Sequence, residues 1–151
     1  MAKFQVGKGM DQYLTQLRNL EFNYRETIGP AIYKGAGIVA DAVKKNIQAL
    51  PESACTPVEK AGLLAGFGIA KMQDENGYFQ VKLGFDGYNG NKTKKYPKGK
   101  ANSMIARSIE GGTSWKPKHP FIAPAVRATK DQAEKAMAEE VDKQITKQMG
   151  G

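Results

Sequence analysis

Two side chains that build most metal and nucleophile sites are nearly missing: the 151-residue chain holds one cysteine, Cys55, and one histidine, His119. A single cysteine closes no disulfide within the chain, and one of each residue cannot supply the clustered thiolate and imidazole ligands of structural zinc. No metal is therefore expected, and Cys55, in a Pro/Ser/Thr-rich connector, reads as a spectator. Long apolar runs are also missing. No stretch approaches the roughly 20 apolar residues that cross a bilayer, and the Met-Ala-Lys-Phe start lacks the apolar run of a signal peptide. The expectation is a protein that is cytoplasmic at synthesis and has no membrane partner. Neither a Walker-type phosphate loop nor a dinucleotide fingerprint occurs, so no cofactor is expected. His119, between Lys118 and Pro120, reads as a turn histidine, and the acid pairs Glu139-Glu140 and Asp74-Glu75 as a solvated helix face and a turn. Each points away from an enzyme.

What is present suits one domain over residues 1–151: 40% hydrophobic and 25% charged residues, with a mean hydropathy of -0.52, typical of a globular chain able to bury a core. The charge is lopsided, with 23 Lys and Arg against 15 Asp and Glu and a formal net charge of +8. That excess bears on partners, nucleic acid or an acidic protein surface, and not on fold.

The apolar periodicity gives an α+β outline. Met10, Tyr13, Leu14, Leu17, Leu20 and Tyr24 recur at helical steps, predicting an amphipathic helix over 10–24. Pro30 suits the first residue of a second helix, where its missing N–H is no loss; Ile32, Ala36, Val39, Val43, Ile47 and Leu50 continue that face to Pro51. Its small residues, Ala31, Gly35, Ala36, Gly37, Ala40 and Ala42, invite close approach by another backbone. After a connector over 51–57 and a short Val58–Leu64 segment, Phe79, Val81, Leu83 and Phe85 alternate with polar or small residues, the period of a strand with one buried face. Phe67–Met72 is its expected partner, joined through Asp74-Glu75-Asn76-Gly77 as a hairpin. A long C-terminal helix follows Pro120, with Ile122, Val126, Ala133, Met137, Val141 and Ile145 as its apolar stripe, exposed charge at Glu134, Lys135, Glu139, Glu140, Asp142 and Lys143, and a close at Gly150-Gly151. The fold expected is two N-terminal helices, a small antiparallel sheet built on a β-hairpin, and a long amphipathic C-terminal helix packed on that sheet.

Two stretches stand apart. Residues 86–100 change abruptly to Gly, Asn, Lys, Tyr and Pro with no apolar period, predicting a long, mobile basic loop whose Lys92, Lys94, Lys95, Tyr96, Lys98 and Lys100 face a protein partner or DNA. Lysines interleaved with Tyr88 and Tyr96 suggest a single-strand stacking platform, but the loop has no arginine for bidentate recognition. A purely solvated loop is the competing reading.

The second stretch runs from Ala106 to Ala125. Ala101–Glu110 suits a short helix or turn ended by Gly111-Gly112, after which prolines lead to Phe121 and Ile122, an apolar plug worth about 1.5 to 3 kcal/mol per residue if fully buried against the sheet. Glu110, Gly112 and Thr113, then Pro120, Phe121, Ile122, Pro124 and Ala125, resemble the tail-completion or head–tail joining (neck) family of long-tailed bacteriophages, the lambdoid gene-product-ten-like tail component. Members show a Glu-aromatic-Gly-Thr turn, then Pro-Phe-hydrophobic-x-Pro-Ala and a charged C-terminal helix. Pro57 with Gly62-Leu63 matches the family's stretch before its hairpin, and Gly111 departs from it where an aromatic is usual. The resemblance implies a non-enzymatic virion subunit, assembled in the bacterial host cytoplasm, that forms a hexameric ring at the head–tail interface or head-proximal tail end. Its partners would be copies of itself, adaptor or stopper proteins of the neck, the tail terminator or tail tube protein, and DNA passing through the channel. Subunits would join by edge pairing of their hairpins. A tail terminator or head–tail stopper ring is the near alternative, and a basic DNA-binding protein the alternative of another class.

Overall fold

A computed structural model describes residues 3–5, 24–75 and 78–149. Among them the order is β1 (Lys3–Gln5), α1 (Tyr24–Gln48), α2 (Pro57–Gly66), β2 (Phe67–Ile69), β3 (Gln73–Glu75), β4 (Tyr78–Phe85), α3 (Asn102–Gly111) and α4 (Ile122–Met149). The class is α+β, as the periodicities imply. The expected helix over 10–24 lies outside the described residues, apart from Tyr24.

β4 is the central strand. It pairs antiparallel with β1 on one side (Phe4 opposite Val81), and on the other with β2 (Gly68 opposite Gly84) and β3 (Asp74 opposite Phe79). The expected single partner strand over 67–72 is thus split in two. Between Ile69, opposite Leu83, and Gln73, opposite Gln80, three residues face two. This one-residue bulge shifts the register and bends the edge. Asp74 and Glu75 are strand residues and not part of the turn, and the Asn76-Gly77 turn itself lies outside the described residues.

Phe79, Val81, Leu83 and Phe85 are all buried, the alternate residues of one face, and α1 lies over that face against β4 and β2. Ile28, Ile32, Ala36, Val39, Val43 and Ile47 recur every three or four positions of α1 and are all nearly inaccessible. Pro30 does not begin this helix but sits inside it. The carbonyl its missing N–H leaves free belongs to Glu26, and both residues are exposed, so water can take that bond. Burial of Thr27, Ile28, Ala31 and Ile32 around it outweighs the roughly 3 kcal/mol of an interior proline.

α4 runs along α1, the most extensive contact between two elements, and meets the sheet at its N-terminal end. There Phe121, 1% exposed, stands edge-on to Phe85 with ring centroids 6.2 Å apart. Ile122 is only half-buried but packs against the core beside Phe121, so Phe121 is the fully buried part of the apolar plug. Of the small residues of α1, Gly35 serves the close approach expected of them, since a Cβ there would lie 2.6 Å from Met137 Cγ, whereas a Cβ at Gly37 would meet nothing within 4 Å. Ala133, Met137 and Val141 are buried along this contact. Glu140, expected to be exposed, is also buried, and accepts from Lys34 Nζ at 3.3 Å and Gln144 Nε2 at 3.0 Å. These donors, Gln144 first, hold its carboxyl below the ordinary value of 4.5.

The segment over 58–64 is part of α2, longer than the sequence suggests. Pro57 occupies its first turn, and Thr56 and Glu59 form a reciprocal capping box, satisfying donors that the helix start leaves free. Lys60 reaches back from α2 to donate to the carbonyls of Gln48 at 3.1 Å and Leu50 at 2.8 Å, terminating α1. The connector between them is packed and not merely traversed: Cys55 is 1% exposed. Burial first, and the Glu59 carboxylate second, push its thiol pKa up, against the opposing pull of Lys60 and Lys116.

Candidate functional site

The residues from Glu110 to Ala125 form one joint between α3 and α4. A helix start presents backbone N–H groups with no intrahelical acceptor, together with the positive end of the helix dipole. Glu110, in the last turn of α3, meets both demands at the start of α4. Its Oε2 accepts from Phe121 N at 2.7 Å and Ile122 N at 2.9 Å, and its Oε1 from Ala123 N at 3.0 Å. The next position is Pro124, which has no N–H to satisfy. One carboxylate and one proline therefore complete the start of a 28-residue helix.

The other residues of the joint have separable roles. Gly112 ends α3 with φ 76°, and a Cβ there would lie 2.8 Å from Lys118 N, so only glycine fits. Thr113 closes the following turn: its N–H donates to Lys116 O at 2.9 Å and its Oγ1 accepts from Lys116 N at 3.1 Å. His119 N donates to Ile109 O at 2.8 Å, returning the chain to α3. Pro120 is exposed, while Phe121 and Ala125 are buried. Asn46 of α1 donates to Phe121 O at 3.0 Å, so the plug is fixed by a polar bond as well as by packing. Gly111 faces open space, so a side chain there would meet no obstacle.

The loop over 86–100 is not the structureless segment expected. Tyr88 and Ala101 form an antiparallel bridge, flanked by bonds from Asn89 N to Lys100 O and from Asn102 N to Gly87 O, both 2.9 Å. Asn89 is 5% exposed, and its Oδ1 accepts from Asn91 N at 3.3 Å and Lys100 N at 3.0 Å. Gly99, at φ 88°, lets the Asn89 carbonyl approach where a Cβ would overlap it. Asn102 donates its side-chain amide to Asp86 O at 2.9 Å. These two buried asparagines tie the loop base to α2 and α3. Sequence reading misses them, because isolated Asn residues in a Gly-rich stretch carry no period.

Lys92, Lys94, Lys95, Lys98 and Lys100 are all exposed and Tyr96 is half-buried. Lys95 and Lys100 place their ammonium groups 5.7 Å and 5.4 Å from the centroid of the Tyr96 ring, within cation–π range. The loop folds toward the Glu110–Phe121 joint. Between them opens a cleft of about 270 Å³, lined on the loop side by Tyr96 and Lys100, on α3 by Met104, Ile105 and Ile109, and on the joint by Trp115, Lys116 and His119. Trp115 is 84% exposed and Met104 45%. Two basic stretches that the sequence shows apart thus share one concave surface. The arrangement can bind; among the described residues no group of three His, Cys, Asp or Glu is placed to hold a metal ion, and no helix is long and apolar enough to cross a membrane. No known protein family, curated protein or solved structure matches the chain.

Proposed function

We propose that the chain is a structural subunit of a bacteriophage virion, forming a ring at the head–tail interface or the head-proximal tail end and joining tail to head. The observation that carries the reading is the Glu110 joint. The residues that resemble the neck and tail-completion family are one physical device: Glu110 caps α4, Gly112 makes the turn, and Phe121 plugs the core against Phe85. A motif with that division of labour holds its helix at a set angle to the sheet, which a subunit of a closed ring requires of every copy.

The sheet topology narrows how copies would meet. Since β4 is flanked on both sides, edge pairing by the whole hairpin gives way to pairing through the outer margins, β1 or the bulged β2–β3 edge. A closed ring would cover margins that otherwise template uncontrolled association. Its neighbours in this reading are copies of itself and adjoining neck or tail rings, with DNA in the channel.

Negative-stain class averages of the purified full-length chain, alone and with tails, together with immunogold labelling of virions from cells carrying its coding sequence, test the reading. Rings and a label at the neck are expected. A chain that stays monomeric with and without tails, and is lacking from intact virions, overturns it. The DNA-binding alternative draws on the exposed lysines, and predicts gel shifts with free DNA that weaken steeply between two salt concentrations.

A further inference from the structure

Residues 86–120 carry eight Lys and Arg against two acidic residues, so +6 of the chain's formal +8 lies in this stretch. Of the two acids, Glu110 is committed to the start of α4. Two of these lysines, Lys100 and Lys116, line the cleft between the loop and the joint, whose one carboxylate neighbour, Glu59, is held in the cap of α2. The cleft floor is apolar, formed by Met104, Ile105 and Ile109, and its lip is Trp115.

We propose that this cleft docks an acidic peptide segment of a partner protein, with one aromatic or long aliphatic side chain seated on the floor and carboxylates meeting the rim lysines Lys100 and Lys116. The proposal goes beyond the virion reading and does not depend on ring formation. Charge complementarity selects an anionic occupant, and the apolar floor selects one that is not anionic throughout. Nucleic acid fits less well for two reasons. The Tyr96 ring already carries two lysine ammonium groups, leaving Trp115 as the cleft's one open stacking platform where a strand needs several. The residues lining the cleft also include no arginine, the side chain suited to bidentate phosphate recognition.

The chain's one tryptophan is the exposed Trp115, so its emission reports directly on the cleft. The full-length chain is titrated with a short Asp/Glu-rich peptide bearing a central Phe, with the same peptide carrying Ala in place of Phe, and with a single-stranded oligonucleotide of equal charge. The Phe peptide is expected to shift Trp115 emission to the blue and to bind roughly ten-fold or more tightly than the Ala peptide, with affinity falling as salt rises. Lys100→Glu with Lys116→Glu, both exposed positions, should abolish the shift while leaving circular dichroism unchanged. Met104→Glu should weaken the Phe peptide more than the Ala peptide. No shift at about 1 mM peptide, equal affinity for the two peptides, or tighter binding of the oligonucleotide overturns the proposal, the last in favour of nucleic acid.

Discussion

Replacing Glu110 by alanine tests the joint on which the placement of α4 rests. The side chain accepts three backbone N–H bonds, from Phe121, Ile122 and Ala123. Loss of a helix-capping acceptor costs about 1 kcal/mol, and loss of an anion beside the positive helix end adds about 0.3 to 1 kcal/mol. The Phe121 and Ile122 bonds are part-buried, and donors left there without an acceptor incur a desolvation penalty of about 1 to 3 kcal/mol. Ala123 is exposed and turns to water. These terms overlap, and their combined effect is a loss of about 2 to 4 kcal/mol, or roughly 5 to 15 °C in Tm for a chain of this size. The Glu110→Gln variant keeps one carbonyl oxygen without the charge, so it should fall between Glu110→Ala and the parent. Urea unfolding followed by circular dichroism at the helix band is the suitable assay, because Trp115 is too exposed to report on the core. Glu139→Ala, on the exposed face of α4, is the control and should stay within about 0.5 kcal/mol. A Glu110→Ala variant as close to the parent as that control would show that Glu110 does not hold the start of α4.

Gly66→Ala should destabilise by at least 1 to 3 kcal/mol or so, because the new Cβ would overlap Asp86 O and lie 2.6 Å from Asn102 Nδ2; Gly111→Ala, facing open space at the end of α3, should instead stabilise by about 0.5 to 1 kcal/mol, and reversed signs in chemical denaturation would contradict the packing described. Glu140, held below its ordinary value of 4.5 by Gln144 and Lys34, contributes stability that is fully present above pH 4.5 and is lost as pH falls through its lowered folded value; the stability gap between the parent and Glu140→Gln should therefore close on acidification, and a gap independent of pH would exclude this origin. Cys55, buried and with its thiol pKa raised, should react with a disulfide reagent roughly a hundred-fold more slowly in the native state than in urea, and equal rates would show that the connector opens freely.

Much of the secondary structure is legible because burial imposes a period. The alternation at Phe79, Val81, Leu83 and Phe85 and the three- and four-residue steps through α1 and α4 are consequences of one-faced packing, visible before any contact is known. Pro30 misleads for a related reason. Local propensity places a proline at a helix start, and only the burial of the residues around it carries the helix through. The loop's Asn89 and Asn102 are illegible because their effect depends on partners as far as 16 residues away, with no signature in composition.

By itself the chain determined its class, its strong basic excess, and the identity of the residues at the α3–α4 joint. Glu110 belonged to a recognisable pattern, yet its bonds to backbone N–H groups 11 to 13 residues onward lie outside the span of a local capping box. Tertiary structure alone decided that role, the split of β2 from β3, and the meeting of the lysine loop with Trp115 around one cleft. The physical reason is range: periodicity and propensity act over a few residues, whereas a helix terminus, a sheet margin and a cleft wall are completed by whatever distant segment the packed core delivers to them.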